Sequence, residues 1–93
     1  MDQRTALITG ASSGIGAATA VLLAKKGIHV ILTARRVDRL QELKNEIQNF
    51  SGNATIYQID LTNEQERIRL YEWLQQQNLL PDILINNAGL AWY

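Results

Sequence analysis

The sequence predicts an α/β protein whose strands form one parallel sheet covered by helices on both faces. Three observations lead there: four short apolar runs, three intervening stretches with helical spacing, and a glycine-rich turn between the first run and the first helix. Strands alternating with helices form parallel sheets through right-handed crossovers. The order β-α-β-α-β-α-β then gives half of a doubly wound sheet, with strands in the order 3-2-1-4.

The first run, Thr5-Ala6-Leu7-Ile8-Thr9, is apolar at consecutive positions, as a strand reads when both of its faces are covered. The first helix spans about Gly14 to Lys26; the Lys25-Lys26 pair followed by Gly27 is a C-terminal signature. The second run, His29-Val30-Ile31-Leu32-Thr33, is again continuous, with His29 expected at the surface. The second helix, about Val37 to Phe50, carries one apolar stripe of Leu40, Leu43, Ile47 and Phe50 and stops near Gly52. The third run, Ala54 to Ile59, alternates, with Ile56 against Gln58, and so belongs toward a sheet edge. The third helix, about Asn63 to Gln77, has Thr62 as its expected cap, Glu64 and Glu66 in its first turn, and a stripe of Ile68, Tyr71 and Leu74. Leu79-Leu80-Pro81 leads into the last run, Asp82-Ile83-Leu84-Ile85-Asn86, which is also nearly continuous.

Composition narrows the function. The 93 residues read as one domain, 46% hydrophobic and 19% charged, an ordinary globular balance. Nine basic residues balance nine acidic ones, which argues against nucleic acid as a partner. Cysteine is absent, which excludes disulfides and thiolate chemistry and suits the cytoplasm. No apolar run approaches the ~20 residues of a membrane span, and the single His29 builds no multi-histidine metal site.

The functional signal lies in Thr9-Gly10-Ala11-Ser12-Ser13-Gly14-Ile15-Gly16. Gly10 permits the tight turn out of the strand, Gly14 lets backbone approach a pyrophosphate, and Gly16 allows close packing of helix on sheet. The helix that follows points free N–H groups and its positive end at an anion, with Ser12 and Ser13 adding hydroxyls. A plain Gly/Ser connection is the bland alternative; the strand before and the helix after make phosphate binding the better reading.

These residues resemble the short-chain dehydrogenase/reductase family. Its glycine motif, T-G-x-x-x-G-x-G, is matched in full by residues 9–16, and its second motif, N-N-A-G, by Asn86-Asn87-Ala88-Gly89 at the end of the fourth strand. The resemblance covers essentially the whole chain but only the N-terminal, coenzyme-binding half of the family's Rossmann fold. It implies that Gly10, Ser12, Ser13, Gly14, Ile15 and Gly16 cradle the pyrophosphate of a dinucleotide. It implies that Asp60 and Leu61 meet the adenine, and that Asn87, Ala88 and Gly89 border the ribose. Helix capping by Asp60 and a simple turn after the fourth strand are the bland counterparts.

The second strand leads into Ala34-Arg35-Arg36, and no acid occurs between Gly10 and Asp38. An acid there would hold the ribose 2′-hydroxyl and select NAD. Arg35 resembles the family's arginine for a 2′-phosphate, and Arg36 either assists or faces solvent; a guanidinium clamps phosphate with two donors. The expected cofactor is therefore NADP, with NAD the less favoured choice. Both arginines could instead be surface charges near Glu42. The loop carries Ser12-Ser13 where family members often place a second basic residue.

The family's chemistry uses a Tyr-x-x-x-Lys pair with a Ser and an Asn downstream of the N-N-A-G motif. Here Tyr57 is followed four positions later by Leu61, Tyr71 by Gln75, and Tyr93 is the last residue. The chain by itself is therefore expected to be inactive, with no catalytic residue of its own, whereas a parent enzyme would move hydride between NADP(H) and an alcohol or carbonyl. The alternative is a stand-alone, non-catalytic nucleotide-binding module, natural or engineered. Trp73 is expected partly buried, and Trp92 and Tyr93 loose or packed on the sheet edge. Ile83 to Ile85 lie on a strand whose usual neighbour is missing, so self-association through that edge is expected.

Overall fold

A computed structural model describes residues 3–87. The order is β1 (Thr5–Thr9), α1 (Gly14–Lys25), β2 (His29–Ala34), α2 (Val37–Asn49), β3 (Ala54–Gln58), α3 (Glu64–Gln76) and β4 (Ile83–Asn86). All strand pairs are parallel, and the sheet order is β3-β2-β1-β4, the arrangement expected from the alternation.

The register explains the continuous apolar runs. Ala6 lies beside Val30 and Ile83, Leu7 beside Ile31 and Leu84, and Ile8 beside Leu32 and Ile85. Successive side chains enter opposite faces. Ala6, Ile8, Val30 and Leu32 therefore join Ala20 and Ala24 of α1 and Leu40, Leu43 and Ile47 of α2 in one core. Leu7 and Ile31 join Ile59 and Leu70 and Leu74 of α3 in the other. The buried face of α1 is Gly16, Ala20 and Ala24, small residues one turn apart that bring the helix close to the sheet. Tyr57 and Trp73 meet at 4.9 Å between ring centroids at the rim of the α3 side.

β3 is an edge strand, and its burial falls from Ala54 to the exposed Gln58. β4 forms the opposite edge of the described sheet. It is tied in at its start, where the Thr5 N–H donates to Asp82 Oδ2 (2.9 Å) and the Asp82 N–H to the Thr5 carbonyl (2.8 Å). It is less covered than its continuous run predicts. Leu84, level with Leu7, is 59% exposed and belongs to neither core.

Three further expectations are corrected. The α3 stripe is Leu70 and Leu74, not Ile68, Tyr71 and Leu74: Ile68 and Tyr71 are exposed. The cap of α3 is Asn63, whose Oδ1 accepts from the Glu66 N–H, because the Thr62 hydroxyl is turned onto Asp60. His29 is buried rather than at the surface, flanked by β1 and β3, with Nε2 2.7 Å from the Thr55 hydroxyl. Burial lowers its pKa, because a charged imidazole would lose its hydration there. Among the described residues, no helix is long and apolar enough to cross a membrane, and no cluster of His, Asp or Glu is placed to hold a metal.

Candidate functional site

The loops that leave β1, β2 and β3 open along one edge of the sheet, at the carboxyl ends of parallel strands, where α/β folds place ligands. Together they line a cleft of about 680 Å³. Gly10, Ser12 and Ser13 come from the loop after β1, Ala34 from the end of β2, and Arg35 and Arg36 from the turn after it. Ile59, Asp60, Leu61 and Thr62 follow β3, and Asn87 closes the end beyond β4. Gly14, Ile15 and Gly16 lie outside this lining. Ala88 and Gly89, like Trp92 and Tyr93, lie outside the described residues.

The glycine loop is shaped by backbone. Gly10 takes a φ of +61°, in the left-handed region that favours glycine. The Ser13 hydroxyl donates to the Gly10 carbonyl (3.0 Å) and accepts from the Gly16 N–H (3.2 Å), which caps α1. Gly16 is buried under the loop, and a Cβ there would lie 2.5 Å from the Gly10 carbonyl and 2.7 Å from Asn87 Nδ2. Gly14 is different: a Cβ on it would meet nothing within 4 Å. The first turn of α1 contains no acid, so nothing there offsets the positive end of the helix.

β4 holds this loop from beneath. The Asn87 N–H donates to the Thr9 hydroxyl (2.9 Å), and that hydroxyl lies 3.1 Å from Asn86 Oδ1. Asn87 Nδ2 donates to Ser13 Oγ (2.7 Å) and to the Gly10 carbonyl (3.3 Å). Asn86 Nδ2 is buried with no hydrogen-bond partner.

The opposite wall is cationic and then acidic. Arg35 and Arg36 are exposed, and neither guanidinium is hydrogen bonded or ion-paired among the described residues, so no pairing with Glu42 holds them down. Arg36 is the N-cap of α2 and makes no side-chain capping bond. Ala34, the last residue of β2, puts a methyl group rather than a carboxylate in the lining just before the arginines.

Asp60 closes a tight turn. Its Oδ1 accepts from the Thr62 N–H (3.0 Å) and hydroxyl (2.7 Å). These two bonds, with a smaller contribution from the Arg35 charge, hold its carboxyl below the usual aspartate range. The Asp60 N–H donates to Glu66 Oε1 (3.0 Å), and Arg67 donates to the Leu61 carbonyl, so α3 anchors the turn. Ile59, 1% exposed, forms an apolar floor. Sequence reasoning named Asp60 and Leu61 for this wall but not Ile59 or Thr62. The Asp-x-Thr spacing is a turn signature that could have shown Thr62 bonded back to Asp60.

This arrangement has counterparts. The short chain dehydrogenase family model matches residues 4–93. Dehydrogenase/reductase SDR family member 11 of Homo sapiens is 42% identical over 90 residues, covering 95% of this chain and 35% of that protein. The fatty acyl-CoA reductase of Acinetobacter baylyi is 43% identical over 86 residues, covering 92% of this chain and 29% of that protein. The chain thus spans about a third of the length of these curated relatives. Among solved structures, a metagenomic short-chain oxidoreductase in complex with NADP superposes with a TM-score of 0.89 at 37% identity, covering 97% of this chain and 41% of that one. The L-sorbose reductase from Gluconobacter frateurii, complexed with NADPH and L-sorbose, gives 0.86 at 37% identity, with 96% and 34% covered. The family match runs through the glycine loop, both arginines, the Asp60 turn and the end of β4, and the superposition carries the same span onto solved relatives. On that ground the chain belongs to the short-chain dehydrogenase family.

Proposed function

We propose that this chain binds NADP(H) by its adenosine and pyrophosphate end, as the coenzyme-binding part of an oxidoreductase acting on an alcohol or carbonyl. The observation that carries the reading is the cleft in which the glycine loop, the two arginines and the Asp60 turn converge. Its residues fit the group. The open space over Gly14 and the uncompensated N-terminus of α1 suit a pyrophosphate. Arg35 and Arg36, with Ala34 in place of an acid, suit a 2′-phosphate. Asp60 keeps Oδ2 uncommitted for the adenine amino group, and Leu61 offers its backbone beside it. The bound nicotinamide would supply hydride. The part played by this chain is to hold the other end of the molecule in place. The relatives solved with NADP or NADPH support the phosphorylated coenzyme.

Calorimetric titration with 2′,5′-ADP and ADP tests this. Charge-assisted bonds to a 2′-phosphate should favour 2′,5′-ADP by about tenfold or more, and equal or absent binding would overturn the reading. We further propose that these residues bind the coenzyme without supplying a Tyr-x-x-x-Lys pair, since Tyr57 and Tyr71 are followed four positions on by Leu61 and Gln75. NADPH oxidation above background by the pure chain would refute that binding-only role, and a Tyr-x-x-x-Lys encoded after Tyr93 would decide between an oxidoreductase and a stand-alone binding module. A cytoplasmic setting suits the lack of cysteine.

A further inference from the structure

We infer that Gln58 is a positioning residue for coenzyme choice: it acts by fixing the backbone that carries Arg35 and Arg36. The inference rests on the NADP reading above. Gln58 is the last residue of β3 and pairs with Ala34, the last residue of β2. The ladder makes one bond past this pair, from the Ile59 N–H to the Ala34 carbonyl (3.1 Å). The side chain of Gln58 then reaches one residue further, and its Nε2 donates to the Arg35 carbonyl at 2.9 Å. A carbonyl oxygen only accepts, so this contact requires a donor at position 58.

Only Arg35 and Arg36 separate β2 from α2. A trans peptide is planar, so holding the Arg35 carbonyl also directs the Arg36 N–H away from Gln58. It fixes as well the torsions from which both guanidinium side chains project. Those side chains line the cleft, and neither is held by a bond of its own. Their placement therefore depends on the backbone, and among the described residues Gln58 is the one side chain bonded to that backbone. Ile56, two positions earlier on the same face of β3, packs into the core under α1 and α2, which keeps Gln58 on the side where α2 begins.

The experiment compares adenosine 2′,5′-bisphosphate with 5′-AMP, which differ only in the 2′-phosphate, by calorimetry on the full chain. Gln58→Met keeps the length and removes the donor. Gln58→Thr favours the strand but is too short to reach, and serves if the first variant folds poorly. The preference for the bisphosphate should fall about three- to tenfold, the range of one net hydrogen bond, with 5′-AMP affinity unchanged. In an Arg35→Ala background, where only Arg36 remains to be placed, the same change should cost less. An unchanged preference, an equal loss for both ligands, or an undiminished effect without Arg35 would each overturn the inference while leaving the NADP reading intact. A wild-type chain with no preference would remove that reading, and this inference with it.

Discussion

Gly14 and Gly16 sit two positions apart in the first turn of α1, yet their replacement by alanine should act on different properties. At Gly16 the added Cβ would lie 2.5 Å from the Gly10 carbonyl, 2.7 Å from Asn87 Nδ2 and 3.1 Å from the Ala11 Cα, whereas ordinary contact begins at 3.4 Å. Two of those three neighbours are backbone, and the third is the amide that ties β4 to the loop. Relief requires the loop to retreat by about 0.9 Å from the position that caps α1. Overpacking of this kind costs up to ~3 kcal/mol, and the better helix propensity of alanine returns at most ~1 kcal/mol. The net loss of ~2 kcal/mol corresponds to a fall of roughly 8–16 °C in Tm for a domain of this size. At Gly14 the Cβ meets no protein atom within 4 Å, so stability should stay within ~0.5 kcal/mol of wild type. Its methyl group would instead occupy the space assigned to a pyrophosphate, and affinity for NADP should fall at least tenfold by the argument from close approach. Urea unfolding followed by circular dichroism gives the stabilities, and calorimetric titration gives the affinities. Gly16→Ala as stable as wild type would refute the packing argument. Gly14→Ala with full affinity would refute the placement of the ligand.

Three other outcomes are expected. The depressed pKa of His29 means that the unfolded chain takes up a proton near pH 6.5 that the folded chain resists; stability should be level above that pH and decline below it, and His29→Val should flatten the slope in urea midpoints between pH 7.5 and 5. Thr62→Val removes the hydroxyl that lowers the Asp60 pKa, so the carboxyl should titrate closer to the ordinary 3.8, as an NMR titration would resolve; no movement would mean that the hydroxyl bond does not govern that group. Leu84, 59% exposed on the outer strand, should promote association between copies, and Leu84→Lys should shift light scattering at high concentration toward the monomer; a wild-type monomer would count against the edge as a contact surface.

Much of the fold was legible because the two strongest patterns were unambiguous. β1 and β2 are apolar at consecutive positions since each is flanked by strands and covered on both faces, and only a parallel sheet asks that of five or six residues. The α3 stripe was misread for a geometric reason. At ~3.6 residues per turn, steps of three drift by about 60° each, so Ile68, Tyr71 and Leu74 wander around the helix. Leu70 and Leu74, one step of four, stay aligned and face the sheet. Burial of His29 and exposure of Leu84 depend on which strands happen to neighbour them, and no local pattern encodes that. At the site, the glycine motif pointed to Gly10, Ser12 and Ser13, which line the cleft, and to Gly14, Ile15 and Gly16, which do not. The bonds from Gln58 and Asn87 join segments far apart in sequence, so only the folded chain brings them into view.

The strand order also sets a sequence of events in time. β1 pairs with β2 about 24 residues away, but its other neighbour, β4, is 77 residues away, and closing so long a loop is entropically slower. The arginine turn and the Asp60 turn belong to the part of the chain that is synthesised first. The Asn87 clamp on the glycine loop arrives only with β4. A nascent chain therefore carries most of the cleft before it carries the residue that stiffens it. A ligand that depends on the clamped loop would act as a reporter of the last step of folding, and its presence during refolding would favour the docked β4 over the open form by mass action.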